Sequence, residues 1–132
     1  MLLATIKRFE DLEIWQDARK LSKEIILISR NTGLNRDFRL KAQIKDSSGS
    51  VMDNIAEGFE RNGNAEFRQF LSIAKGSAGE TRSQLYRVFD NDYINEEHLN
   101  LLISDCEKLS VKIHNFITYL NKNDFKGTKF IG

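Results

Sequence analysis

The fold is decided by residues 64–90, which read NAEFRQFLSIAKGSAGETRSQLYRVFD. Apolar or small residues recur along this stretch at alternating steps of four and three, at Phe67, Leu71, Ala74, Ala78, Thr81, Leu85 and Val88. This spacing draws one apolar stripe along an α-helix, because the helix repeats every ~3.6 residues. A helix with such a stripe must bury it against other elements. The stretch therefore predicts one member of a helical assembly.

The same pattern recurs in three further stretches, which predict helices over residues 11–32, 36–61 and 95–121. Their stripes are Ile14, Ala18, Leu21, Ile25 and Ile28; then Leu40, Ile44, Ser48, Val51, Ile55 and Phe59; then Leu99, Leu102, Cys106, Leu109, Ile113, Phe116 and Leu120. The chain has 132 residues and no proline, which favours helices over a loop-rich β fold. We predict one all-α domain over 1–132, an antiparallel up-down-up-down four-helix bundle, with residues 1–10 and 122–132 as flexible or packing termini.

Short polar connections separate the predicted helices. Gly33 is expected to end the first helix, and Asn62-Gly63 predicts a turn between the second and third. Asn35, Asn64 and Asn95 are predicted N-caps, because an asparagine side chain accepts a hydrogen bond from the first free backbone amides.

The second and third helices are expected to form a hairpin about Asn62-Gly63. Counting outward from this turn places Gly49-Ser50 opposite Lys75-Gly76 and Ser47 opposite Ala78. Small residues facing small residues predict a close backbone approach, and a binding groove is the alternative. The same count places Glu57 near Arg68, which predicts an ion pair across the hairpin.

The charge and the cysteine content exclude several classes of protein. Twenty basic residues face nineteen acidic ones, so the net charge is +1 and lacks the excess typical of a duplex-DNA binder. Any nucleic-acid surface must then come from local segregation of charge or from oligomerisation. Cys106 is the only cysteine, which excludes an internal disulfide. The chain has neither a secretory signal nor a long apolar run, so we expect a cytoplasmic protein without a membrane segment.

No residue set predicts catalysis, a metal or another cofactor. His98, Cys106 and His114 lie eight residues apart and spread around their helix, whereas zinc needs convergent ligands. No serine or cysteine has a histidine and a carboxylate at a spacing typical of a nucleophilic site. We therefore expect a protein that is not an enzyme and has no small-molecule substrate.

Two groups of residues are candidates for binding nucleic acid. Arg68, Lys75 and Arg82 recur every seven residues, with Lys41 and Lys45 on the neighbouring helix. They predict either a row of interhelical ion pairs or a basic strip that contacts phosphates. Beyond Lys122, Phe125 is interleaved with further lysines, which predicts either a solvated end or a tail that stacks on single strands.

Four of the apolar residues outside the core stripes stand beside them on their helices, namely Trp15, Ile26, Phe70 and Ile73. Apolar surface beyond the core often marks an interface, so these residues are candidates for self-association. The alternative is that the terminal segments cover them, through Phe9, Phe125 and Phe130.

Two runs at a fixed separation resemble a known family. They are Asn54-Ile55-Ala56-Glu57-Gly58-Phe59 and Phe70-Leu71-Ser72-Ile73-Ala74-Lys75-Gly76-Ser77, preceded by Phe9-Glu10-Asp11-Leu12 and Ile14-Trp15-Gln16. Over residues 9–121 the chain is similar to bacterial four-helix-bundle proteins encoded by intervening sequences in 23S ribosomal RNA genes, some of which are labelled ribosomal-protein-like. It also resembles the related accessory protein of diversity-generating retroelements.

The resemblance implies a homopentameric ring that acts as an accessory scaffold for RNA or a nucleoprotein complex, with Asn54, Glu57, Gly58, Lys75, Gly76 and Ser77 as family motif residues. A protein–protein scaffold that binds no nucleic acid is the alternative. The chain departs from the family pattern just before the first run, where Ser50-Val51-Met52-Asp53 contains no proline.

Overall fold

The computed structural model describes residues 6–123, in which four long helices run back and forth. They are α1 (Glu13–Asn31), α2 (Phe38–Glu60), α3 (Asn64–Asp90) and α4 (Glu96–Lys122), with short 3-10 helices at Phe9–Asp11 and Gly33–Arg36. Helices adjacent in sequence pack on each other, and α1 also contacts α4. This order confirms the predicted all-α fold, a four-helix up-down bundle.

The predicted stripes form the core of the bundle. All their residues are buried except Phe116, which is partly buried. Aromatic rings fill the end near the α2–α3 turn, where Phe67 packs edge to face on Phe59 at 6.1 Å and on Phe116 at 5.5 Å between centroids. The sequence analysis missed two fully buried residues in the connections, Leu12 and Leu34.

Of the three predicted N-caps, one is confirmed and two are wrong. Asn95 caps α4, since its Oδ1 accepts the His98 amide at 2.8 Å. The prediction for Asn35 is wrong, because the Gly33–Arg36 3-10 helix prolongs that connection by several residues. Asp37 caps α2 instead, where its Oδ1 accepts the Leu40 amide at 3.3 Å.

Asn64 is not a cap either, because it is the first residue of α3. Gly63 precedes it with φ 105°, a left-handed conformation that glycine adopts without strain. The Asn64 side-chain amide donates to the carbonyls of Leu120 at 3.2 Å and Asn123 at 2.7 Å. It therefore ties the start of α3 to the end of α4.

Gly33 does not terminate α1 in the predicted way. The helix ends at Asn31, and the extended Thr32 follows it. A Cβ on Gly33 would lie 2.9 Å from Cδ1 of Tyr93. The glycine thus makes room for the Tyr93 ring, whose hydroxyl donates to Oδ2 of Asp37 at 2.9 Å. This contact joins the α1–α2 connection to the α3–α4 connection.

The predicted close approach of α2 and α3 occurs at a different glycine. A Cβ on Gly49 or Gly76 would have no atom within 4 Å, so the prediction for these two positions is wrong. A Cβ on Gly58 would lie 2.8 Å from Cβ of Phe70 and 2.9 Å from Cδ1 of Phe67. The helices are therefore closest near the turn.

Hydrogen bonds between polar side chains join α2 and α3 in the region where a close approach of glycines was predicted. The buried Ser47 hydroxyl donates to Oε1 of Gln84 at 2.6 Å and lies 2.9 Å from Oγ1 of Thr81. Nearer the turn, the hydroxyls of Ser50 and Ser77 lie 2.9 Å apart. These polar pairs fix the register of the hairpin, because a shift would leave buried groups without partners.

The predictions for the C-terminal tail concern residues outside the described range, namely Phe125, Lys126, Lys129, Phe130 and the rest of 124–132. At the other end, Ile6 is buried and Phe9 packs against the core.

Candidate nucleic-acid interface

The three cations of α3 lie on the flank of that helix that faces α4. Arg68 donates weakly to the Leu120 carbonyl at 3.5 Å, and Arg82 forms an ion pair with Glu107 at 3.2 Å. Lys75 is partly buried between them and forms no ion pair with a described residue. One of the three is therefore neutralised by a carboxylate.

The ion pair predicted between Glu57 and Arg68 is wrong. Glu57 pairs with Arg61 one turn further along the chain, at 2.8 Å, and Arg61 also lies 3.8 Å from Glu66. Residues four apart are neighbours on the surface of a helix, so Glu57 and Arg61 can pair without reaching across the hairpin. All of these side chains are about half exposed, so the pairs contribute only ~0–1 kcal/mol each.

The two candidate lysines of α2 lie on the opposite flank of the hairpin, towards α1. Lys41 and Lys45 point away from Ser47, which contacts α3. Lys41 donates to the Asn35 carbonyl at 3.0 Å and lies 5.2 Å from the centroid of the Phe38 ring. Lys45 is exposed. The five predicted phosphate contacts are therefore divided between two surfaces.

Helix α1 carries four exposed cations that the sequence analysis missed, and three of these are Arg19, Lys23 and Arg30. Their spacing of four and seven residues places them on one face of the helix. The opposite flank of α1 faces α4, because Asp17 binds Lys112 there at 2.7 Å. The three cations lie about 160° around α1 from its buried stripe, so they point outward from the bundle.

The distribution of charged residues along the chain indicates this basic face, and the sequence analysis did not use it. Residues 19–45 contain eight lysines and arginines against two acidic residues, a net charge of +6. None of the eight forms an ion pair with another residue in 6–123. Residues 88–107 contain six acidic residues and no lysine or arginine. The near-zero total thus conceals two strongly charged segments.

The four predicted interface residues differ in exposure. Trp15 is partly buried, with Phe9 packed edge to face on it at 5.2 Å between centroids. Ile26 and Phe70 are also partly buried, whereas Ile73 is 47% exposed. Phe9 of the N-terminal segment thus covers part of this surface, in agreement with the alternative prediction. The Ile73 side chain remains exposed to solvent.

The two family motif runs meet at the α2–α3 crossing. The Asn54 side-chain amide donates to the Ser50 carbonyl at 2.8 Å and lies 2.9 Å from the Ser50 hydroxyl, which in turn bonds to Ser77. Gly58 admits Phe70 at close range. These motif residues therefore have a structural role, and Glu57 and Gly76 lie on the exposed surface.

An open groove runs between α1 and α4, the least closely packed neighbours in the bundle. It encloses a volume of about 390 Å³ lined by Leu21, Leu101 and Leu109 among charged side chains. Lys112 lies across it and binds the carboxylates of Asp17 and Glu13, which raise the pKa of the lysine. The groove is a mixed surface without a dominant charge.

The titratable groups of α4 form no reactive cluster. Cys106 is buried, and desolvation raises the pKa of its thiol to about 12, which keeps it protonated at neutral pH. Among residues 6–123, no three His, Cys, Asp or Glu side chains gather in a way that could hold a metal ion. No helix in that range has the length and apolar character needed to cross a membrane.

Comparisons with known proteins agree with this architecture. The family model described as "23S rRNA-intervening sequence protein" matches residues 10–115. The crystal structure of a protein of unknown function from the S23 ribosomal protein family of Bacteroides thetaiotaomicron is similar, with a TM-score of 0.73 and 23% sequence identity. The alignment covers 80% of this chain and 95% of that one. No curated protein matches the chain.

Proposed function

The chain belongs to the 23S rRNA-intervening sequence protein family, and we propose that it is a non-enzymatic accessory scaffold for RNA or a nucleoprotein complex. The observation that carries the proposal is the set of exposed lysines and arginines that form no ion pair with a described carboxylate, such as Lys23. Unpaired cations on a rigid helix attract phosphates, and their affinity depends strongly on salt.

The proposal includes a homo-oligomeric ring, for which a pentamer is expected. Ile73 leaves apolar surface exposed on α3. On the same helix, Gly76 and Gly79 have open space where a Cβ would be, although glycine costs a helix ~1 kcal/mol relative to alanine. No contact within the described chain requires these glycines. A neighbouring subunit packed against this face would supply a reason for both features.

RNA binding and solution mass test the two parts separately. We expect a labelled single-stranded RNA to bind at low salt and to dissociate as salt rises. Light scattering should give a multiple of the 15.3 kDa chain, five copies for the expected pentamer. Ile73→Asp should reduce the mass to that of a monomer, whereas Lys108→Glu, an exposed change on α4, should not.

A protein–protein scaffold without nucleic acid is the second candidate function. It is favoured by the further exposed apolar residues, of which Leu101 and Val111 on α4 are 61% and 58% exposed. Its signature is an oligomer that shows no salt-dependent affinity for RNA. That result would reject the RNA scaffold and leave the oligomer in place.

A further inference from the structure

We propose that the chain contacts the phosphates of single-stranded RNA through one face, made by α1 and the first half of α2. We call Arg19, Lys23, Arg30, Lys41 and Lys45 the α1–α2 basic face. The inference rests on the proposed RNA function and specifies which surface carries it. It moves the contact away from the α3 row of Arg68, Lys75 and Arg82.

The local charge separates the two candidate surfaces. Arg82 is paired with Glu107, and Arg68 contacts a backbone carbonyl. All five members of the α1–α2 basic face lack an ion pair with any described residue, so the two surfaces differ in this respect at Arg82. Lys41, like Arg68, contacts a backbone carbonyl. A phosphate that approaches Arg82 must displace a carboxylate, whereas one that approaches Lys23 displaces no ion pair. Lys45 forms no ion pair either, although Asp46, Asp53 and Glu57 line the same surface pocket.

The dimensions of the face suit a nucleic-acid strand. The eleven helical steps from Arg19 to Arg30 rise ~16 Å along α1. A strand whose bases stay stacked as in a duplex, with one phosphate every ~3.4 Å, places about five phosphates in that length. Helix α2 runs antiparallel beside α1, which brings Lys41 and Lys45 alongside the C-terminal half of α1. Five cations thus face about five phosphates.

An exposed aromatic ring on the same face specifies a single strand. Phe38 is 73% exposed and lies three and seven residues before Lys41 and Lys45, so the three share one side of α2. A large apolar ring beside unpaired cations provides a surface on which an unpaired base stacks, whereas bases in a duplex are already stacked. The ring and the lysines together fit a single-stranded segment.

The central experiment measures the affinity of the full chain for a fluorescein-labelled single-stranded RNA of about 20 nucleotides as a function of salt. Five contacts on a single strand predict a slope of about −3.5 in log K against log salt. The double variant Lys23→Glu/Lys45→Glu removes two contacts and should reduce the slope to about −2.1. If the affinity extrapolated to 1 M salt is unchanged, binding at 50 mM salt weakens roughly 60-fold.

Two variants with the same change in charge provide controls. Lys108→Glu/Lys122→Glu alters exposed α4 positions and should leave the slope near −3.5. Lys75→Glu/Arg82→Glu alters the α3 row and should also leave it nearly unchanged. Phe38→Ala should weaken binding about tenfold with the slope intact, because base stacking depends little on salt. Circular dichroism of each variant verifies that it is folded.

The outcomes distinguish this inference from the function on which it rests. Wild-type protein that does not bind RNA overturns both. Wild-type binding that is lost in the α3-row variant and retained in Lys23→Glu/Lys45→Glu overturns the assignment of the face and keeps the RNA function. If Lys23→Glu/Lys45→Glu instead lowers the solution mass and leaves RNA affinity unchanged, the face binds the acidic 88–107 segment of a second copy, and the inference is wrong.

Discussion

A glycine-to-alanine change should have opposite effects at two positions of the same helix. At Gly58 the added methyl carbon would lie 2.8 Å from Cβ of Phe70, well inside the ~3.5–4.0 Å of a normal carbon contact. The Phe70 Cβ moves only with the α3 backbone, so a rotamer change cannot relieve the overlap. Overpacking of this kind costs ~1–3 kcal/mol, and the rigid contact favours the upper end.

The intrinsic helix preference opposes that cost. Alanine is ~1 kcal/mol better than glycine inside a helix, so Gly58→Ala should be destabilised by about 2 kcal/mol in total. Gly49→Ala on the same helix meets no atom within 4 Å and should gain ~0.5–1 kcal/mol. For a domain of this size we expect the melting temperature to fall by roughly 6–10 °C in the first variant and to rise by a few degrees in the second.

Urea unfolding followed by far-ultraviolet circular dichroism measures both free energies. The matched pair separates packing from helix preference, since the two substitutions change the chain in the same chemical way. A Gly58→Ala protein as stable as Gly49→Ala would refute the close approach of α2 and α3 near the turn. The geometry of the hairpin would then have to be wrong there.

Three further measurements test the core and the surface. Ser47→Ala should cost ~1–3 kcal/mol in urea unfolding, because the buried Gln84 oxygen loses its donor. Cys106, with its pKa raised to about 12, should react with a thiol reagent at pH 8 only as fast as the bundle opens, and labelling as rapid as that of a free thiol would contradict its burial. Lys112→Gln should cost at most ~1 kcal/mol at neutral pH. Because Asp17 raises the folded-state pKa of Lys112, that difference should vanish as the pH rises past that pKa, and a difference that persists would exclude the ion pair.

The sequence predicts the helices of this protein better than their ends. The stripe from Phe67 to Val88 is unambiguous because each helix presents one buried side, and burial enforces the period. Caps are decided by competition among nearby polar residues. The side chains of Asn35 and Asp37 can both cap a helix. Leu34 is buried in a 3-10 helix that lengthens the connection, so α2 begins later and Asp37 is its N-cap.

Side-chain pairs across the hairpin are the part that spacing cannot predict. Counting from the turn placed Glu57 near Arg68 on the partner helix, whereas in the structure it pairs with Arg61 at the end of its own helix. Which pair forms depends on the exact depth of the helix crossing, and Gly58 sets that depth through Phe70. The close backbone approach predicted at Gly49 and Gly76 is wrong for the same reason, since their facing positions were counted from the turn without a crossing angle.

Charge segregation changes what a net charge of +1 implies for this fold. A balanced total argues against nucleic-acid binding only if the charges are mixed, and here residues 19–45 and 88–107 carry +6 and −6. Both segments lie at the same end of the bundle, where Tyr93 bonds to Asp37. The acidic segment borders α1 through Asp105, which lies across the α1–α4 groove from Lys20. Because screening limits interactions between exposed charges to ~8–10 Å, a phosphate on the outer side of α1 responds most to the cations on that side. The charge of each face follows from the amino-acid sequence and the helical period. This local charge, rather than the net charge of the whole chain, therefore determines where the protein attracts phosphates.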